Sequence, residues 1–402
     1  MVRVVITGQG TINSLGFDVA STIEAMKRGQ SGISLMEFPN IDRLNVKIGG
    51  QIKGFDPKLY FENQKITFYD RFTQFALIAA KEAILQSGLV FEGELSQHSG
   101  VVFGTAGGGL QTQDENYRAV YEDGKNRVHP FVVPRLMNNA AVSHVSMSNN
   151  LKGPSFTVST ACASSNHAMG QAFHLVRSGA AKVMIAGGSE SMLCFGGIKA
   201  WEGLRVMSQD GCRPFCATRN GMVQGEGAAV FVFEEFEHAK ARGANILAEL
   251  SGFAMSSDAG DIVMPSVGGA RRAILAALND AKLNPEDIGY INAHGTGTTA
   301  NDKTETAAIK EVFQNYAKNI MVSSTKSMHG HLIGGTGAVE LLACIAALKD
   351  GIIAPTIGYR EQDPSCDLDI VPNQARQKKV KAVISNAFAF GGLNAVIALK
   401  SI

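Results

Sequence analysis

Two spacings of apolar residues alternate along this chain. Short runs rich in β-branched residues over 2–8 (VRVVITG), 100–104 (GVVFG), 155–159 (SFTVS) and 182–188 (KVMIAGG) read as buried strands. Between them, apolar residues recur at i, i+3 and i+4 over 70–86 and 163–177, the spacing of a helix with one buried face. The second half repeats the habit, with strands predicted over 246–251, 288–293, 320–323 and 380–385 and helices over 268–281, 303–313 and 334–349. Strands separated by helices predict an α/β fold.

The alternation contains a longer period. VSTACASSNHAMGQAFHLVRSG, from Val158, and VSSTKSMHGHLIGGTGAVELLACIAALKDG, from Val322, share one order: strand, Ser-Thr, small-residue loop, long Gly/Ala-containing helix and a basic-x-Gly stop. Cys162 in the first copy and Lys326 in the second lie 164 residues apart, close to half of the 402-residue chain. A duplicated α/β unit follows, with its seam at 242–246, a first half over 1–244 and a second over 245–402. Only the first copy carries the cysteine, so the halves do different work.

Composition narrows the class. Hydrophobic residues at 45% and charged residues at 18%, against a usual ~25% charged, exclude disorder and suggest a chain that also covers part of its surface with a second copy of itself. The net charge of +1 comes without a polybasic run, which argues against nucleic acid as the partner. The six cysteines include no CxxC pair and are too sparse for a disulfide framework, as expected in a reducing compartment. MVRVVITGQG enters the first strand with no basic and apolar leader, and no run reaches the ~18 apolar residues that span a bilayer. A cytoplasmic protein without membrane insertion is the expectation.

Cys162 sits in STACASS, between a strand and a helix of small residues. That turn places a thiol at a helix N-terminus, where free N–H groups favour a thiolate, and Ala161 and Ala163 leave room for a substrate. A buried inert cysteine fits the same local pattern, and it is the reading for Cys194, Cys212, Cys216, Cys344 and Cys366. His294, in NAHGTGT, follows a strand at the end where open α/β sheets bind ligands. His331 lies five residues after Lys326 in STKSMHGH and opens the helix that contains Glu340. With Cys162, the two histidines suggest one attacking thiol and two imidazoles that stabilise charge. A metal held by His294, His329 and His331 is the alternative, although no carboxylate or thiol is spaced to complete it. The turn Phe390-Gly391-Gly392 places a backbone N–H for an oxyanion beside that of Cys162, or simply closes a hairpin.

Taken in order, VVITGQG, TACASS, GEGAA from Gly225, NAHGTGT, KSMHGHLIG, AVE from Ala338 and FGGLN resemble the β-ketoacyl-acyl carrier protein synthases along essentially the whole chain. The resemblance implies a thiolase-like fold of α-β-α-β-α layers, a homodimer, and decarboxylative condensation of an acyl thioester with malonyl-acyl carrier protein. It also implies no metal or other cofactor, the substrates arriving on the phosphopantetheine of the carrier. Cys162 becomes the acyl-carrying nucleophile, the N–H groups of Cys162 and Phe390 the oxyanion hole, and His294 and His331 the donors to the malonyl carbonyl. Lys326 and Glu340 support the histidines, Thr296 and Thr298 hold the pantetheine, and Phe388 and Gly391 adjoin the substrate. Thiolases carry a second cysteine where this chain reads Phe388-Ala389-Phe390, and initiating synthases carry Asn where it has His331; the elongating type remains.

Departures from that pattern carry their own expectations. Gly107 replaces a bulky aliphatic residue and Val132 an aromatic one, which predicts a deeper acyl pocket unless neighbours such as Phe195 or Met137 compensate. Cys216 and Asn220 stand where aspartates are usual and Met222 where Phe is, and RNGMV resembles the nodulation-type branch of the family. Ala389 and Leu393 alter the gate loop. Lys65, Lys125, Arg127, Lys199 and Arg205 are the candidate cations for docking an acidic carrier protein, each with a solvated surface charge as the alternative. A specialised nodulation-type or polyketide condensing enzyme, a non-condensing carrier-binding partner and a cysteine hydrolase are the competing functions. The last lacks its G-x-C-x-G elbow.

Overall fold

Ten strands form one continuous sheet in the computed structural model, which describes residues 2–402. They are β1 (Val4–Asn13), β2 (Ser99–Gly104), β3 (Ser155–Val158), β4 (Val183–Glu190), β5 (Gly227–Glu235), β6 (Ala248–Ser257), β7 (Ile288–Asn292), β8 (Met321–Ser323), β9 (Ala382–Ala389) and β10 (Leu393–Lys400). Their order in space is β8-β7-β9-β10-β6-β1-β5-β4-β2-β3. From either outer edge to the centre the sequence of strands is therefore the same, third-second-fourth-fifth-first. The pairing senses recur too. β2 runs parallel to β3 and β4, and β5 antiparallel to β4 and β1. β7 runs parallel to β8 and β9, and β10 antiparallel to β9 and β6. The halves join where Val4, Val5 and Ile6 pair antiparallel with Leu250, Glu249 and Ala248.

Five helices complete the layers: α1 (Arg71–Ser87), α2 (Ser164–Arg177), α3 (Val267–Ala281), α4 (Thr299–Phe313) and α5 (Thr336–Lys349). Alternate residues of the inner strands enter different cores, which is why those strands are apolar on both faces, whereas β3, read as buried, is a sheet edge with Ser155 and Phe156 exposed. Val101, Phe103, Val183 and Ile185 pack with α1, whereas Val102, Met184 and Ala186 pack with α2 and α5. In the second half Ile384 and Val396 face α3 and α4, and Val383, Ala395 and Ile397 turn toward α2 and α5. The result is α1, a half-sheet, α2 with α5, the second half-sheet, and α3 with α4, the expected α-β-α-β-α order. α5 is buried from Thr336 to Ala347, so its composition is apolar all round.

β1 continues past Gly8, where the sequence pattern reads a stop. Gly8 and Gly10 allow α1 to lie on the strand: a Cβ at either position would sit 2.1 Å from a carbonyl oxygen of the helix, Ala83 and Ala79 respectively. No helix among the described residues is long and apolar enough to cross a membrane.

Candidate active site

The centre of the molecule holds the site, between the mouth of α2 and the C-terminal ends of β7 and β9. β3 ends at Val158 and α2 begins at Ser164. The turn between them puts Ala161 at φ +48, tied by the Thr160 N–H to Ser164 Oγ at 2.8 Å, and projects Cys162 inward. Burial dominates the thiol, pushing its pKa up to about 11; the Lys326 charge and the N–H groups of Phe390 and Cys162 oppose the rise without cancelling it. Desolvation opposes the thiolate that the helix N-terminus is expected to favour. Alkylation by iodoacetamide is therefore expected to be slow at pH 7 and to accelerate about tenfold per pH unit toward pH 10. A plateau near pH 8 in an intact-mass time course would contradict this assignment. The turn Phe390-Gly391-Gly392 joins β9 to β10 as a hairpin and directs the Phe390 N–H at the thiol. Gly391, at φ +80, donates its N–H to Ile262 O at 2.8 Å, and the Phe390 ring stacks on Trp201.

His294 follows β7 on a loop that a buried carboxylate holds in place. Glu305, on α4, accepts the N–H groups of His294 and Gly295, each at 2.8 Å, and the Asn386 side chain at 3.1 Å. His331 lies in a segment paired with Gln224 rather than opening a helix; α5 starts five residues later. Its Nδ1 accepts the Ile333 N–H at 3.0 Å and lies 2.8 Å from the Thr336 hydroxyl. The ring proton therefore resides on Nε2, which has no partner. His294 Nδ1 is likewise unpartnered. The Cys162 sulfur and a nitrogen of each ring lie within 4.8 Å of one another, and the rings meet edge to face at 84°. Burial and the nearby Lys326 charge hold both imidazoles well below their ordinary range, so they are neutral donors. Lys326 is itself paired with Glu340 at 2.5 Å, both fully buried.

His329 does not join this group. Its Nδ1 contacts Gly330 O at 2.7 Å and its Nε2 the Thr325 hydroxyl at 2.9 Å, which removes it from the metal reading. Cys162, His294 and His331 have metal-like spacing, but the donor set fits poorly. A metal on His331 Nε2 displaces the proton that the Ile333 N–H fixes there, beside a buried ammonium.

A cavity of about 190 Å³ opens onto the thiol and both rings. Thr296 and Thr298, with hydroxyls 2.9 Å apart, line it together with Phe388, Phe390, Met222 and Met264. Gly107, Val132 and Phe195 do not line it. At Gly107 the volume of an absent side chain is taken by Met192, whose atoms lie 3.0–3.2 Å from the position of a Cβ. Val132 is buried at the start of a short helix, and Phe195 packs under the Arg43 guanidinium. Three of the candidate docking cations are paired locally: Lys65 with Glu62, Lys125 with Asp123 and Lys199 with Glu202. The sequence reading missed Glu305, Glu190, Met192 and Thr336. Glu305 left a trace, an acid on the same helix face as the apolar Ala308 and Ile309; the others have none in the local pattern.

A duplicated sheet that brings one thiol against two neutral imidazoles defines a condensing acyltransferase of thiolase-like fold. The chain belongs to the beta-ketoacyl synthase family: the model of the N-terminal domain matches residues 1–239 and that of the C-terminal domain residues 247–360. It is 47% identical to nodulation protein E of Rhizobium leguminosarum bv. trifolii, over 100% of this chain and 99% of that one. It is 39% identical to 3-oxoacyl-[acyl-carrier-protein] synthase 2 of Staphylococcus aureus (strain MRSA252), over 99% and 98%. Among solved structures, a type II PKS ketosynthase bound to the hexaketide, in complex with its acyl-carrier protein (AntDE:AntF), superposes with a TM-score of 0.91. That pair is 30% identical, over 100% of this chain and 99% of the other.

Proposed function

We propose that this chain lengthens an acyl chain by two carbons through an acyl-Cys162 intermediate, the observation that carries the reading being the convergence of Cys162, His294 and His331 within 4.8 Å. Cys162 attacks the thioester carbonyl of an acyl-carrier protein. The C–S bond to phosphopantetheine breaks, and the thiol proton leaves with the carrier. The N–H groups of Cys162 and Phe390 stabilise the oxyanion of that step. Malonyl-carrier protein then binds with its pantetheine against Thr296 and Thr298. Loss of CO₂ leaves an enolate whose oxygen accepts hydrogen bonds from His294 and His331. Its carbon attacks the acyl-cysteine, forming the new C–C bond and breaking the acyl C–S bond, and the departing Cys162 thiolate takes up a proton from water. Burial and the Lys326 charge keep the imidazoles neutral, Glu340 holds Lys326 in place, and no metal or redox cofactor takes part.

The remaining parts of this reading have physical support of their own. The recurring strand order supports two halves divided at 244/245. β3 is a sheet edge with Ser155 and Phe156 exposed, and Phe131, Val133 and Met137 stand open nearby, which suits coverage by a second copy and a homodimer in which Val132 approaches the partner's acyl site. Arg127 and Arg205, which have no ion pair among the described residues, are the cations we assign to the carrier protein. Six free, buried cysteines suit the cytoplasm.

The substrate class is read from Met192. A thioether is pliable where an aliphatic branch is not, so Met192 beside Gly107, outside the present cavity lining, is the side chain we assign to yield to a long or unsaturated chain. Cys216, Asn220 and Met222 favour a specialised signalling-lipid chain as the second reading. Intact-mass analysis with acyl-carrier proteins of increasing length, followed by malonyl-carrier protein, tests both. The expected result is an acyl adduct that disappears in Cys162→Ala and a 3-oxoacyl product two carbons longer. No adduct at any length would leave a carrier-binding partner, and the longest chain loaded separates the substrate readings.

A further inference from the structure

Glu190 ends β4 with a carboxylate that has no exposure and no basic partner. It is nonetheless saturated with donors. Oε1 accepts the Thr105 hydroxyl at 2.9 Å and the Gly107 N–H at 3.1 Å; Oε2 accepts Ala106 N–H at 2.7 Å and Gly334 N–H at 3.0 Å. Gly334 is gripped from its other side as well, since the Ser165 hydroxyl on α2 donates to its carbonyl. No other residue fits there, because a Cβ would lie 2.4 Å from Ala106 N and 2.7 Å from Glu190 Oε2.

The residue before Gly334 makes this clamp matter. Ile333 has φ +47, a left-handed conformation that a β-branched side chain adopts only where its surroundings impose it. In that conformation its N–H reaches His331 Nδ1. The Thr336 hydroxyl, the other partner of Nδ1, can donate or accept and so selects no tautomer. Only the Ile333 N–H commits the ring to carry its proton on Nε2, facing the cavity.

We propose that Glu190 is a positioning residue for the decarboxylation step: by holding Gly334 it maintains the strained Ile333 turn and thereby the tautomer and aim of His331. The inference rests on the role given to His331 above. It places a functional demand on a residue that touches no substrate.

The two half-reactions test it. In Glu190→Gln the amide N–H₂ meets at least one N–H donor at whichever oxygen it replaces, Gly107 at one and Ala106 with Gly334 at the other, so the clamp loosens. CO₂ release from malonyl-carrier protein is expected to fall about 10–100-fold in kcat, with KM and the rate of acyl transfer to Cys162 changed by less than about threefold. Glu190→Asp should recover part of the loss. Thr105→Val, which removes a Glu190 partner but spares Gly334, should stay within about threefold of wild type. In spectra of protein labelled with ¹⁵N-histidine, the His331 ring signals of Glu190→Gln should shift from the Nε2–H tautomer toward a mixture. If Glu190→Gln does not fold, Ser165→Ala loosens the same glycine and should show the same split. Equal losses in both half-reactions, or an unchanged His331 signal, would overturn the proposal. His331→Ala separates the two levels: CO₂ release that survives it overturns the role of His331, whereas release lost there but intact in Glu190→Gln overturns the proposal alone.

Discussion

Replacing His331 with alanine is expected to slow CO₂ release from malonyl-carrier protein by about 10²–10³-fold while acyl transfer to Cys162 falls by less than about tenfold. The asymmetry follows from where each oxyanion forms. In the proposed mechanism the acyl-transfer oxyanion is held by the N–H groups of Phe390 and Cys162, which face the thiol. The enolate depends on the imidazoles, and His331 offers it a single donor, the unpartnered Nε2–H. Because both rings are buried, neutral and beside Lys326, they act as preformed donors in a place water reaches poorly, where one hydrogen bond counts for most. Alanine also orphans the buried Ile333 N–H, a stability cost of about 1–3 kcal/mol, so thermal denaturation must accompany the kinetics. His331→Asn restores a side-chain donor and should recover part of the rate. Equal slowing of both half-reactions would remove His331 from the decarboxylation step.

The groups that converge at the centre were legible in the sequence because each sits at a junction that leaves a local mark. Cys162 falls between a β-branched run and a small-residue helix, and His294 between a strand and a run of glycines and threonines. The duplication was legible for the same reason, from the recurrence of strand, Ser-Thr and helix at Val158 and Val322. What escaped is long-range. Glu190 lies 144 residues before the Gly334 N–H it accepts, and no spacing rule links them. Met192 fills the volume left at Gly107 because the chain returns there through β4, which composition cannot reveal. β5 was unassigned although GAAVFVFEE is apolar, since it follows a glycine-rich segment whose conformation is set by distant partners. Gly8 and Gly10 misled in the opposite direction: glycine usually punctuates a strand, and here it admits a helix.

Lys326→Met is expected to destabilise the fold by about 3–5 kcal/mol at pH 8, through the carboxylate it leaves behind rather than the contact it removes. Glu340 is fully buried, its Oε1 is held only by Lys326 and its Oε2 has no partner. Burial already raises its pKa, and Lys326 pulls it back; without the lysine it rises further. A carboxyl whose pKa is higher folded than unfolded binds its proton more tightly in the native state. Its contribution is therefore favourable at low pH and is lost as pH rises through the folded value. The variant should accordingly be closer to wild type at pH 5 than at pH 8, as chemical denaturation at the two values would show. A penalty that grows on acidification would mean that the lost ammonium, not the stranded carboxylate, sets the cost. Lys326→Met with Glu340→Leu replaces the pair by apolar side chains and should return to within about 1–2 kcal/mol of wild type. Chemistry should not return with it. Lys326 is the charge that opposes the burial of Cys162, so the double variant raises the thiol further and its alkylation by iodoacetamide slows at every pH below the thiol's pKa. A stable double variant with an unchanged alkylation rate would show that the pair serves the fold alone.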